Sequence, residues 1–162
     1  MEQAGKMMYS KGCLMTDYND EEPHYLLDSN IVSEIIKPNP SFNVIKKIAK
    51  HNSDCAICSP TLHELLYGYE KMEDGYNKTF LGKYINDDLL ENFKVKIYSE
   101  KACRIHAEIR TKAEKIGRPL PFSDSMIASI ALANHMVLVT RNTKHFEPIQ
   151  EVSELQIENW FE

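Results

Sequence analysis

Apolar positions along this chain follow two rhythms that alternate. Short continuous runs, of which Leu26-Leu27, Cys55-Ala56-Ile57-Cys58 and Met136-Val137-Leu138-Val139 are the clearest, have the length and composition of strands buried on both faces. They predict strands over His24–Asp28, Cys55–Cys58, Phe93–Tyr98 and Met136–Thr140, with a last short one near Leu155–Ile157. Longer stretches at helical spacing lie between them. Helices are predicted over 31–36, over 42–50 with Val44, Ile45 and Ile48 on one face, from Ser59-Pro60-Thr61 to about Met72, and over 78–90. Ser99 is placed to cap a long helix whose stripe is Ala102, Ile105, Ala113 and Ile116, ending at Gly117, where a left-handed cap suits glycine. After a loop over Arg118–Phe122, Ser123 or Asp124 is placed to cap an Ile- and Ala-rich helix that runs to Asn134. Strands alternating with helices in this way predict crossover units, and hence a three-layer α/β domain around a mostly parallel sheet.

Residues 1–22 show neither rhythm and end in the acidic cluster Asp17, Asp20, Glu21 and Glu22, so they read as a disordered extension, with the folded domain spanning 23–162 and Met15 a candidate start. A chain of 162 residues fits one domain. Its apolar runs fall short of the roughly 18 residues of a membrane span, and the N-terminus has no apolar signal core. The expectation is a cytoplasmic protein with no membrane contact. Cys13, Cys55, Cys58 and Cys103 are too sparse for a disulfide framework and are expected as thiols. The net charge is −5, and leaving out residues 1–22 removes two lysines and five acids, which brings it to −2. Bulk positive charge therefore cannot hold a nucleic acid, and chemistry on RNA or DNA would need metal ions or a local basic patch. Arg141, Lys144, Arg118, Lys112 and Lys115 are the candidates for such a rim.

In an open parallel sheet, ligands collect beyond the carboxyl ends of the strands. Asp28 ends the first strand, and Asn142 follows the Val-Leu-Val strand. Asp124 opens one helix, and Glu64 lies in the first turns of another. If the strands are neighbours, three carboxylates and a carboxamide converge at one edge, where hard oxygen donors suit Mg²⁺ or Mn²⁺ and mutual repulsion calls for a cation. Taken singly, each has a plainer reading: Asp124 as a helix cap and Glu64 as a solvated helix residue.

Together, Tyr25-Leu26-Leu27-Asp28-Ser29-Asn30, Thr61-Leu62-His63-Glu64-Leu65-Leu66-Tyr67-Gly68, Phe122-Ser123-Asp124-Ser125-Met126-Ile127-Ala128 and Val139-Thr140-Arg141-Asn142-Thr143-Lys144-His145-Phe146 resemble PIN-domain ribonucleases, most of all the VapC-type toxins of bacterial toxin–antitoxin pairs. The resemblance covers nearly everything after residue 23. It implies a PIN-like α/β/α sandwich and a metal-dependent endoribonuclease that leaves a 5′-phosphate and a 3′-hydroxyl on RNA, with tRNA a natural candidate. It also implies a homodimer and a VapB-type antitoxin partner. By position, Asp28, Glu64 and Asp124 match the family's acidic metal-binding residues, and Asn142 stands where many relatives carry a fourth acid. That substitution removes a charge and favours one metal over two. Ser29 and Asn30 would orient Asp28 by hydrogen bonds, or else form a simple turn.

Rival chemistries are weaker. A zinc-protease motif would need a histidine where Tyr67 stands, and a haloacid-dehalogenase nucleophile would need an aspartate where Asn30 stands. Cys55 and Cys58, three apart in a strand, point to opposite faces as core residues. His145, beside Phe146, reads first as a loop anchor. The main alternative from another class is a catalytically weak PIN-like module that binds RNA or a protein partner.

Overall fold

A computed structural model of the protein describes residues 22–162. The expected extension thus lies outside the described residues except for its last member, Glu22, whose carboxylate pairs with Lys96.

Five strands, β1 (Tyr25–Leu27), β2 (Cys55–Cys58), β3 (Lys94–Lys96), β4 (Val137–Val139) and β5 (Ile157–Glu158), form one sheet in the order β3-β2-β1-β4-β5, parallel throughout. Tyr25 pairs with both Cys55 and Val137, so β1 is central. Alternate residues serve opposite layers, as the two-residue period of a strand requires. Leu26, Ala56, Cys58 and Leu138 face one core with α6 (Glu100–Lys115), α7 (Phe122–Ala133) and α8 (Thr143–Gln150). Leu27, Cys55, Ile57 and Val139 face the other, with Val32, Val44, Leu65, Tyr84 and Trp160. The result is the expected sandwich, and the two cysteines serve different cores. Burial pushes the Cys55 thiol up to about 12 and the Cys58 thiol up to about 11.

Several boundaries differ from expectation for identifiable reasons. The helix expected over 31–36 begins earlier, as α1 (Ser29–Val32), and continues as a 3-10 turn over Ser33–Ile36. It is followed by α2 (Phe42–Lys50). The helix opened by Pro60 is α3 (Ser59–Glu70). The helix expected over 78–90 divides into α4 (Tyr76–Lys83), a wide π-helical turn over Tyr84–Leu89 and α5 (Leu90–Asn92). The wider turn brings Tyr84, Ile85 and Leu89 into the core together, and the Tyr84 hydroxyl donates to the Val32 carbonyl at 2.8 Å. Gly117 does take the left-handed conformation, with φ of 76°, and Arg118 N–H closes the end of α6 on the Ala113 carbonyl. Within α6, however, the stripe is Ala102, His106, Ile109 and Ala113, while Ile116 is exposed.

Helix α7 corrects the expected cap. It starts at Phe122, after Pro121, whose ψ of 139° is not helical, and no side chain caps it. Neither Ser123 nor Asp124 is the cap. Helix α8 was not anticipated, because Pro148 within it reads as a breaker, yet Phe146 and Ile149 bury its inner face. No helix among the described residues is long and apolar enough to cross a membrane.

Candidate active site

The chain leaves β1 through Asp28, which is extended, and its carboxylate turns back to accept the Ser29 N–H at 2.7 Å, capping α1. Its other oxygen accepts the Asn30 amide at 2.6 Å and the Thr140 hydroxyl at 2.7 Å. Because β4 is the neighbouring strand, Thr140 arrives from its carboxyl end fully buried. Asn30 also binds Thr140 and accepts the Arg141 N–H, and Thr140 accepts the Asn142 N–H. The ends of β1 and β4 are thus tied together around one carboxylate. Ser29 and Asn30 do orient Asp28. Thr140 was missed as a partner, since only strand adjacency, which a single sequence does not display, brings it there.

Asp28, Glu64, Asp124 and Asn142 all line one open cavity of about 510 Å³, together with His145. Glu64, exposed in the second turn of α3, accepts a hydrogen bond from the Ser123 hydroxyl at 3.3 Å. Asp124 lies half-buried in the first turn of α7, 3.4 Å from His145 Nδ1, with its carboxylate uninvolved in capping. His145 therefore faces the cavity while Phe146 anchors the helix in the core, and the expectation that His145 is a structural anchor is corrected. Asn142, exposed, precedes α8.

Among the described residues Asp28 has no cationic partner, and Asp124 has His145 beside it. Burial holds the Asp28 carboxyl above its ordinary value, and the Glu64 charge adds to this against the opposing hydrogen bonds of Thr140, Ser29 and Asn30. Burial likewise raises Asp124, with Asp28 and Glu64 adding to the effect and His145 opposing it. A cation in the cavity would relieve both. The donors are all hard oxygens, as Mg²⁺ or Mn²⁺ prefers. Among the described residues no three His, Cys, Asp or Glu side chains stand close enough to share one ion directly. That spacing fits a cation held by one or two carboxylates and completed by water and substrate oxygens, the usual habit of Mg²⁺.

The proposed basic rim is only partly near this cavity. Arg141 and Lys144 flank Asn142 and His145 along the chain, although Arg141 also lies over the Phe161 ring. Arg118 pairs with Glu151, and Lys112 pairs with Glu108 and lines a separate cavity with His24 and Met136 at the opposite ends of the strands.

Comparison with known proteins adds an independent line. The PIN domain family matches residues 25–151. Ribonuclease VapC2 of Rickettsia felis is 34% identical over 139 residues, covering 84% of this chain and 97% of that protein. The tRNA(fMet)-specific endonuclease VapC of Shigella flexneri is 32% identical over 138 residues, covering 84% and 97%. Among solved structures, DNA-bound VapBC from Salmonella typhimurium superimposes with a TM-score of 0.72 at 26% identity, covering 85% of this chain and 98% of that one.

Proposed function

This chain belongs to the PIN-domain family, and from that premise we propose that it is a metal-dependent endoribonuclease, the toxin of a toxin–antitoxin pair, cutting phosphodiester bonds in RNA, with tRNA the candidate substrate. The observation that carries the reading is Asp28. It is a buried carboxylate hydrogen-bonded, among the described residues, to neutral donors alone, facing two further acids across an open cavity.

In this reading Asp28 and Asp124 would hold Mg²⁺ or Mn²⁺ with help from Asn142, a cation that would supply positive charge against the phosphate and acidity to an attacking water. Glu64 orients that water and accepts its proton, kept in place by the Ser123 hydroxyl. Ser29, Asn30 and Thr140 fix the Asp28 carboxylate, so no reorganisation is needed when substrate arrives. His145 steadies Asp124. A VapB-type antitoxin is the protein partner and a homodimer the assembly, following the VapBC relatives.

The test incubates wild-type and Asp28→Asn protein with total bacterial RNA in Mg²⁺, Mn²⁺ or EDTA and resolves the products on a denaturing gel. Discrete fragments from wild type, only with metal, are expected. Equal RNA loss with Asp28→Asn would overturn the assignment. The second reading, a PIN-like module that binds RNA or protein with little catalysis, draws on Asn142, which places a neutral carboxamide where a further charge would hold the ion. It predicts RNA binding with no metal-dependent fragments.

A further inference from the structure

The carboxylate cavity continues into an apolar shelf. Pro60, His63, Phe122 and Met126 line a space of about 450 Å³, with Glu64 and Ser123 at the join, so that Glu64 borders both cavities. The size is that of a small-ligand site.

Phe122 is 57% exposed, an arrangement that forgoes the burial an aromatic ring ordinarily gains. The ring is nevertheless braced. The His106 ring lies 5.1 Å away, inclined by 58°, and the Arg110 guanidinium is 5.4 Å from the ring centre. His106 is itself held on both sides, with Nδ1 2.6 Å from the Tyr98 hydroxyl and Nε2 2.8 Å from the Ser125 hydroxyl. The Ser125 hydroxyl donates in turn to the Pro121 carbonyl at 2.7 Å. This buried chain fixes the first turn of α7, and with it both Asp124 and the plane of Phe122. On α3, the His63 ring is stacked on Tyr67 at 6.1 Å.

A flat, braced, solvent-facing aromatic surface beside a phosphodiester-cleaving centre matches the way unpaired RNA is held, since every base offers a π-face. The Glu64 carboxylate at the join repels phosphate, which leaves the neutral base as the part of the substrate suited to the shelf.

We propose that Pro60, His63, Phe122 and Met126 form a nucleobase subsite, in which the unpaired base next to the scissile phosphate stacks on Phe122. This rests on the RNA-cleaving reading of the adjacent carboxylates.

The test uses single-stranded RNA oligonucleotides carrying 2-aminopurine at successive positions around the mapped cut. With wild-type protein in EDTA, fluorescence is expected to be quenched at one position beside the cut, to recover with Phe122→Ala and to remain quenched with Phe122→Trp. Circular dichroism confirms that each variant is folded, which the exposure of Phe122 favours. In cleavage assays with metal, Phe122→Ala is expected to lower kcat/KM by about 5- to 150-fold. An abasic residue at the same position should cost wild type a similar factor and Phe122→Ala little more. Binding that neither quenches nor depends on Phe122 overturns the proposal and leaves the shelf to a protein side chain. So does an abasic penalty that is equal in wild type and variant. Phe122-dependent quenching without any metal-dependent cleavage would keep the subsite and reject the nuclease, so the two failures are distinguishable.

Discussion

Two buried carboxylates, close neighbours in sequence, are treated in opposite ways by this fold. Glu34 is 4% exposed and Asp28 is 6% exposed. Glu34 pairs with the Lys37 ammonium and accepts the Ser41 N–H at 2.8 Å, and these contacts hold its carboxyl below the ordinary value. Asp28 accepts more hydrogen bonds, from Ser29, Asn30 and Thr140, but has no cation beside it among the described residues, and burial pushes its carboxyl up. Hydrogen bonds to neutral donors oppose the desolvation of a carboxylate ion in part, and a charged donor such as the Lys37 ammonium opposes it more strongly. Glu34 carries its counter-ion within the fold and closes a turn. Asp28 is fully oriented and lacks one, which is the condition of a group that takes its counter-ion from solution.

The sharpest way to break this contrast is activity. Asp28→Asn and Asp124→Asn should each reduce metal-dependent RNA cleavage by about a thousand-fold, since each removes a ligand charge while preserving volume. Glu34→Gln should leave cleavage within about twofold, because its charge is spent on Lys37. Comparable losses in Glu34→Gln and Asp28→Asn, measured on one defined RNA, would erase the distinction.

The next effect is on stability. A cation that binds the folded protein alone should raise wild-type Tm, by an amount equivalent to about 2.7 kcal/mol at a hundredfold excess over Kd. Thermal melts with and without Mn²⁺ should show this shift in wild type and in Glu34→Gln, and lose it in Asp28→Asn. A shift retained in Asp28→Asn would place the ion elsewhere.

How far these features were legible in sequence follows from where each one sits. Asp28 and Asp124 could be found because each stands at the edge of an element whose apolar rhythm is strong, and the rhythm dates the edge to within a residue or two. Their roles came from the family resemblance, since an acid at a helix start also reads as a cap; in the structure Pro121 takes the position before α7 and leaves the Asp124 carboxylate free of capping. Thr140, Ser123 and His145 were not assigned roles at the site because their partners come from remote elements, and strand order is a three-dimensional fact. Glu34 and Lys37 lie in a short 3-10 turn with no periodicity to mark them. His106 was hidden by its polarity within an apolar stripe, although a histidine flanked by Ala102 and Ile109 at helical spacing was a usable signal. Helix α8 was concealed by Pro148, whose missing N–H costs one hydrogen bond that burial of Phe146 and Ile149 outweighs.

The smallest effect tests the contrast through pH. Because the folded-state pKa of Glu34 lies below its ordinary value of 4.5, its contribution to stability is complete above that value and is lost as pH falls through the depressed pKa. Asp28 in the metal-free protein has the opposite sign: its folded pKa is raised above 3.8, so its ionisation opposes folding at neutral pH, and that opposition fades as pH falls through the raised pKa. Lys37→Met should therefore cost about 1 kcal/mol in urea unfolding near neutral pH, a modest figure because the lysine is half-exposed and solvent screens the pair. The loss should vanish at a pH well below 4.5, where Glu34 is protonated in both proteins. A loss from Lys37→Met that is equal at both pH values would mean that the lysine acts by packing its stem rather than by charge. Glu34 would then be a buried acid held by hydrogen bonds alone, no different in kind from Asp28.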